Sequence, residues 1–171
     1  MQIYLLRHGD AVQNPALHDS ERPLTPLGQQ QASTAARFLR SSRIAIDAVF
    51  SSPLKRARET AVPAETTLDI KERYTTEFLV PGTDPRQLFD EVHKHSFNSI
   101  LLVGHEPLMS TIVSLLTSGN GDFKVDFKKC SLALVETPAP VKKGRGMLQW
   151  LVQVGQMELL GGSHGTQDRK D

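Results

Sequence analysis

The chain has 171 residues, of which 39% are hydrophobic and 23% charged, a composition typical of one globular domain that needs neither a metal nor a disulfide to fold. The formal net charge of +1 argues against broad nucleic-acid binding, which usually requires a surplus of basic residues. No apolar run is long enough to span a membrane, the amino terminus lacks the pattern of a signal peptide, and a single cysteine, Cys130, excludes an internal disulfide. We therefore expect a cytoplasmic, monomeric protein.

The first half of the chain alternates short apolar segments with helical ones. The predicted elements are a strand at 2–6, a long loop at 11–24, a helix at 25–40, a strand at 47–52 and a helix at 52–65. Thr25 and Ser52 are each followed by a proline, a pattern typical of a helix that begins just after a polar N-cap.

The second half continues the alternation. The predicted elements are a short strand at 73–79, a helix at 83–95 with Asp84 as its cap, a strand at 99–104, a helix at 105–119, and strands at 131–136 and 147–154. The tail at 161–171 has no apolar residue, so we expect it to be disordered and residues 1–160 to form a single domain.

Strands that alternate with helices indicate an α/β fold with a mainly parallel central sheet between two layers of helices. The continuously apolar strand at 99–104 is typical of a central strand covered on both faces. In such sheets, ligands bind beyond the carboxyl ends of the strands. The polar groups that follow the predicted strands are Arg7-His8-Gly9, Ser51-Ser52 with the basic segment at 54–58, Glu77, and Gly104-His105-Glu106.

Two histidines and several arginines at one edge of a sheet favour phosphate chemistry. Arginine offers a planar fork that matches phosphate oxygens, and an imidazole nitrogen can act as a nucleophile. Spacing alone does not choose among Lys55, Arg56 and Arg58, because all three lie near a predicted helix start. No metal or cofactor signature accompanies them, so we expect none.

Three motifs carry a resemblance to a known family. "RHG" after the first strand, "SSPLKRARETA" after the second and "VGHEP" after the fourth resemble the histidine phosphatase, or phosphoglycerate mutase-like, superfamily. The short chain, "RHGDA", "SERPLTPLG" and "VGHEP" most resemble phosphohistidine phosphatases of the SixA type. The resemblance implies a three-layer αβα sandwich without the large lid insertion of many mutases.

The resemblance also implies a role for each matching residue. His8 would be the nucleophile and become phosphorylated, and His105 would stabilise the developing charge. Glu77 occupies the place of the acid and base of the mutase branch, and its structural and catalytic interpretations stay open. The residues implied to bind phosphate are Arg7, Arg56, Arg22 from the first loop, and Asn14, which also fits an ordinary turn before Pro15.

These roles predict a metal-independent phosphatase that works through a phosphohistidine intermediate on protein phosphohistidine. The alternatives are a small-molecule phosphomonoesterase or mutase, which would need Glu77 as an acid and an enclosed pocket, and a phosphate-binding pseudoenzyme. The expected partner is accordingly a protein that carries phosphohistidine or a phosphorylated small molecule, with neither nucleic acid nor membrane involved.

Overall fold

A computed structural model describes residues 1–161. It contains one six-stranded sheet in the order β3-β2-β4-β1-β5-β6. The strands are β1 (Gln2–Arg7), β2 (Ala48–Ser51), β3 (Glu72–Thr75), β4 (Ser99–Gly104), β5 (Leu132–Glu136) and β6 (Met147–Val152). The first four run parallel, while β5 and β6 extend the sheet in antiparallel pairings. The predicted α/β fold with a mainly parallel sheet is confirmed.

Helices cover both faces of this sheet. The helices are α1 (Pro26–Ser41), α2 (Lys55–Thr67), α3 (Pro85–Val92), α4 (Leu108–Ser118) and α5 (Val154–Gly161). Because successive side chains of a strand point to opposite faces, Leu6 packs in a core with α1, α2 and α5, whereas Leu5 packs in a second core with α3 and α4. None of the helices within residues 1–161 is long and apolar enough to cross a membrane.

Two of the three predicted helix caps are confirmed. The Thr25 hydroxyl accepts from the backbone N–H of Gly28 at the start of α1, and the Asp84 carboxylate accepts from that of Arg86 at the start of α3. The predicted start of α2 at Pro53 is wrong, since the helix begins at Lys55 without a side-chain cap. Ser52 is fully buried at the end of β2, where its hydroxyl is bonded to His105 instead.

Two further boundaries differ from the predicted ones. β3 ends at Thr75, and the residues after it form a short 3-10 turn at Glu77–Leu79. β6 ends at Val152, two residues before the predicted strand end, and α5 covers residues 155–160, for which the sequence predicts no element. Two glycines make α5 a weak helix former, but Met157 is 1% exposed in the core, so tertiary packing outweighs local propensity. The predicted disordered tail lies, apart from Gly161, outside the described residues.

The connection between β3 and α3 is short. It comprises residues 76–84, with the single turn Glu77–Leu79 inside it. No lid subdomain is therefore inserted between these two elements at the carboxyl edge of the sheet, as the sequence predicts.

Candidate active site

The two histidines of the candidate site follow neighbouring strands at the carboxyl edge of the sheet. In the parallel pairing of β1 with β4, Arg7 lies beside Gly104, so the next residue of each strand is a histidine. The backbone N–H of His8 donates to the carbonyl of Gly104 at 2.9 Å. The centres of the His8 and His105 rings are 4.9 Å apart. The strand register thus brings together two residues that are far apart in the sequence.

The His8 ring is buried and held in one orientation by the backbone. Its Nδ1 lies 2.7 Å from the carbonyl oxygen of Gly9. Because a carbonyl only accepts, Nδ1 carries the proton and donates it to this bond. The lone pair of the neutral ring is therefore on Nε2, which makes no hydrogen bond to any residue between 1 and 161. A histidine that attacks through Nε2 requires this tautomer.

Both imidazoles are neutral near pH 7. Burial lowers the pKa of His8 from 6.5 to about 4; the nearby cations of Arg56, Arg7 and Lys129 add to this shift, and the carbonyl hydrogen bond opposes it. Burial likewise lowers the pKa of His105 to about 3, with further lowering by His8 and Arg56. Since only a neutral imidazole has a free lone pair, the His8 ring keeps one over the physiological pH range.

His105 is held by Ser52. This residue directly follows β2, the strand that lies next to β4 on the side away from β1. The Ser52 hydroxyl lies 2.9 Å from Nε2 of His105 and also accepts from the backbone N–H of Leu54 at 3.3 Å. The opposite ring nitrogen, Nδ1, is buried without a hydrogen-bond partner in the described part of the chain. When the hydroxyl donates to Nε2, Nδ1 carries a proton that points to no protein acceptor and is available to a ligand oxygen.

Arg7 also has an unpaired buried donor. One terminal nitrogen of its guanidinium donates to the carbonyl of Phe127 at 2.8 Å. Its Nε is buried and lacks a partner among residues 1–161. A buried donor without an acceptor is costly. An anion beside His8 would satisfy this group together with Nδ1 of His105.

Arg56 and Arg22 are linked by a carboxylate. Arg56 donates through Nη1 to the backbone carbonyl of Asp19 at 2.7 Å and through Nη2 to its Oδ2 at 3.0 Å. Arg22 donates through Nη1 to Oδ1 of the same residue at 2.8 Å and through Nε to the carbonyl of Val12 at 2.7 Å. Arg22 is thereby linked through Asp19 to Arg56 in the first turn of α2.

Burial separates Arg56 from its two neighbours of like charge. Arg56 is 5% exposed, whereas Lys55 and Arg58 are exposed on α2 and make no ion pair with the residues that the structure describes. Arg56, which the family pattern indicates, is therefore the basic residue of this segment that is bonded to Asp19 in the first loop.

Asn14 and Glu77 lie apart from this arrangement. Asn14 is exposed, and its side-chain oxygen accepts from the backbone N–H of Ala16 at 2.9 Å, as an ordinary turn residue does. Glu77 is exposed in the turn after β3, and its carboxylate makes no hydrogen bond or ion pair within residues 1–161. The structure brings neither side chain into contact with a histidine or arginine of the site through a polar bond.

Close backbone packing holds the loop after His8 in place. A Cβ built on Gly28, in the first turn of α1, would lie 2.0 Å from the carbonyl oxygen of Asp10, so only glycine fits there. The backbone N–H of Gly9 donates to the Thr60 hydroxyl at 3.1 Å, and this hydroxyl donates to the carbonyl of Arg56 at 2.6 Å. Thr60 therefore couples the residue after His8 to the helix that carries Arg56.

Sequence reasoning missed two polar residues of this site. The proline after Ser52 leads to its assignment as a helix cap. Its position at the end of a strand, beside the strand that precedes His105, is the signal for a contact between the two side chains. Asp19 lies in a long loop, where only its spacing of three residues from Arg22 indicates an ion pair. Its contact with Arg56 depends on the folded path of the loop.

This arrangement places a neutral buried histidine beside a second histidine at the edge of an α/β sheet, with Arg7 and Arg56 near the ring and Arg22 linked to Arg56 through Asp19. It is typical of a class of proteins that act on phosphate. The family model of the histidine phosphatase superfamily (branch 1) matches residues 3–78. The chain belongs to this superfamily and is a phosphatase of the SixA-like kind.

Relatives with a stated activity agree with this membership. Phosphohistidine phosphatase SixA of Escherichia coli (strain K12) is 25% identical over 163 residues, which are 80% of this chain and 99% of that protein. A broad-specificity phosphatase of Saccharomyces cerevisiae is 27% identical over 168 residues, covering 88% of this chain and 70% of that one. A structure of the protein histidine phosphatase SixA complexed with tungstate superposes with a TM-score of 0.81 at 26% identity, covering 91% of this chain and 98% of that chain.

Proposed function

We propose that this protein is a metal-independent phosphohistidine phosphatase and that His8 carries the phosphoryl group between two steps. The observation that carries the proposal is the state of His8, which is neutral, tied through Nδ1 to Gly9, and has Nε2 free beside a cluster of arginines. An imidazole in this state is a nucleophile that needs no general base, because no proton has to leave it before attack.

In the first step, the Nε2 lone pair forms a bond to phosphorus, and the bond from phosphorus to the leaving nitrogen breaks. The leaving imidazole keeps the electron pair of that bond and takes its proton from water. In the second step, water attacks the phosphorus of phosphorylated His8. The P–Nε2 electron pair then returns to the ring, and the proton lost by water passes to solvent, so that inorganic phosphate and free His8 result.

The cations and unpaired donors around His8 would bind the phosphoryl oxygens. Nε of Arg7 and Nδ1 of His105 are buried and lack protein acceptors within residues 1–161. Arg56 and Arg22 each use two of their five N–H donors in the bonds described above, so three remain on each. Fixed donors aimed at an oxyanion stabilise the charge that the transition state spreads over three oxygens.

Two observations support phosphohistidine on a protein as the substrate. The connection between β3 and α3 holds only a short turn, so the site is open to a phosphoryl group presented on another protein. Glu77 is exposed and makes no polar contact within the described residues, which argues against a built-in acid. A phosphoramidate needs less acid assistance than an alcohol ester, because imidazole is the better leaving group.

The test is a comparison of kcat/KM for a phosphohistidine-bearing protein domain with values for phosphorylated sugars, nucleotides and glycerate, each with wild type and Glu77→Gln. We expect the protein substrate to be preferred and Glu77→Gln to leave its kcat/KM within about twofold. A preference for an alcohol phosphate, with a loss of tenfold or more in Glu77→Gln, would establish a small-molecule phosphomonoesterase. Binding of the phosphoprotein without turnover would establish a pseudoenzyme.

A further inference from the structure

Asp19 is the acidic residue that joins two of the proposed phosphate ligands. It is the first residue of a 3-10 turn, Asp19–Glu21, in the loop between β1 and α1. Its Oδ1 accepts from Arg22 and its Oδ2 from Arg56, while its backbone carbonyl accepts a second bond from Arg56. Among residues 1–161, no other carboxylate bonds to either guanidinium group.

The difference in exposure between Asp19 and Arg56 shows which side chain needs the other as a polar partner. The Asp19 side chain is 59% exposed, whereas that of Arg56 is 6% exposed. Water could solvate this carboxylate at little cost, but a buried guanidinium group needs polar partners. The described hydrogen bonds of the Arg56 head all go to Asp19, through its side chain and its backbone. The orientation of Arg56 therefore depends on Asp19.

The charges at the site are also suited to a dianion. Arg7, Arg22 and Arg56 contribute three positive charges, and Asp19 removes one of them. The charge of Lys129, also near His8, is balanced by its ion pair with Asp10. The two that remain match a doubly charged phosphoryl group, and the unused N–H donors of both arginines remain available to its oxygens.

We propose that Asp19 is a positioning residue that sets the direction and spacing of the Arg22 and Arg56 forks for a phosphoryl group. This inference rests on the proposed function, since it presupposes that both arginines bind phosphate. The opposite interpretation makes Asp19 a competitor that occupies the arginines and must be displaced by substrate. The two interpretations differ in the sign of one measurable quantity, the affinity for an anion.

Electrostatics alone favours tighter anion binding when a negative charge is removed from the site. If a variant without the Asp19 carboxylate binds the anion more weakly, the cause is therefore the altered orientation of the arginines and not the change in net charge. Asp19→Ala removes both side-chain bonds, while Asp19→Asn keeps one acceptor oxygen and the size of the side chain. Glu21→Gln is the matched control, because Glu21 is an exposed acid in the same turn without a side-chain partner among residues 1–161.

The experiment measures tungstate binding by calorimetry for the wild type and for the Asp19→Ala, Asp19→Asn and Glu21→Gln variants, together with KM and kcat for phosphoramidate. We expect Asp19→Ala to weaken tungstate binding about tenfold and to raise KM more than it lowers kcat. Asp19→Asn should lie between Asp19→Ala and the wild type, and Glu21→Gln should match the wild type. An unfolding midpoint within a few degrees of the wild type shows that the fold is kept.

Arg22→Ala provides a second, independent readout. Because Asp19 acts through Arg22 and Arg56, its removal should cost less in an Arg22→Ala background than in the wild type. Unchanged or tighter tungstate binding by Asp19→Ala would overturn the inference. Wild-type protein that binds tungstate but forms no phosphoenzyme would instead overturn the proposed function and leave the role of Asp19 standing. Failure of the wild type to bind tungstate would overturn both.

Discussion

At the scale of single residues, reactivity depends on which nitrogen of His8 holds the proton. The Gly9 carbonyl binds the proton at Nδ1, and burial keeps the ring neutral. Neither effect needs a general base or a metal ion next to the ring. The same burial that keeps His8 neutral also makes the folded state sensitive to acid, because protons bind more weakly to the folded than to the unfolded form.

The lowered pKa of His8 predicts a specific loss of stability in acid. The unfolded chain takes up this proton near pH 6.5, and the folded chain does so only near pH 4. The stabilisation is complete above pH 6.5 and is lost as the pH falls towards 4; the drop in pKa corresponds to about 3 kcal/mol at most. Urea unfolding at pH 7 and pH 4.5 should show a smaller pH dependence for His8→Asn than for the wild type. An equal pH dependence of the two proteins would contradict the lowered pKa.

Arg56 is expected to be irreplaceable by lysine. Its planar head donates one bond to the backbone carbonyl of Asp19 and one to its carboxylate, and keeps further donors for an anion, a geometry that an ammonium group cannot reproduce. Arg56→Lys should weaken tungstate binding by about tenfold or more. Arg58→Lys, on the exposed side of the same helix, is the matched control and should bind like the wild type. Wild-type affinity in Arg56→Lys would show that positive charge alone, not the Arg56 fork, binds the anion.

At the scale of elements, strand ends and helix starts determine where the proposed catalytic groups lie. The Arg7–Gly104 register sets the two histidines side by side, and Ser51 beside Val103 brings Ser52 to the same edge. The first turn of α1 packs so tightly on the loop after β1 that Gly28 has no room for a side chain. This contact restrains the backbone of the loop that follows His8.

Gly28→Ala should therefore damage both the fold and the site. Its Cβ would overlap the Asp10 carbonyl at 2.0 Å, which only a backbone shift in the His8 loop can relieve. Overpacking of this kind costs about 1–3 kcal/mol. Gly155→Ala is the control, since a Cβ there meets nothing within 4 Å and alanine favours the helix. Urea unfolding should show a large loss for Gly28→Ala and none for Gly155→Ala; equal stabilities would contradict the packing argument.

The sequence allowed a prediction of those parts of the site that depend on local pattern. Arg7, His8 and His105 lie at the ends of apolar strands, so the rule for parallel sheets is enough to place them at one edge. Asp19 and Ser52 could not be placed in this way, because their partners come from distant segments and depend on the path of a loop and the register of a strand. The α5 helix was missed because Met157 stabilises it through the core, whereas its glycines disfavour a helix locally.

At the scale of the whole molecule, one sheet holds groups from four separate segments at a single edge. His8 and Arg7 come from β1, Arg22 from the first loop, Arg56 from α2 and His105 from the end of β4. The short connection between β3 and α3 inserts no subdomain at this edge of the sheet. We propose that residues 1–160 act as one domain, with both cores supporting the same site from opposite faces of the sheet.

The most direct test of the central claim is to trap the phosphoenzyme and locate its phosphate. The protein is mixed with labelled phosphoramidate, quenched in alkali within one turnover, digested and analysed for phosphohistidine isomers. Because Gly9 occupies Nδ1, we predict one labelled residue, His8, phosphorylated at Nε2, and no label in His8→Ala. Label on Nδ1, label on another residue, or undiminished label in His8→Ala would contradict the account.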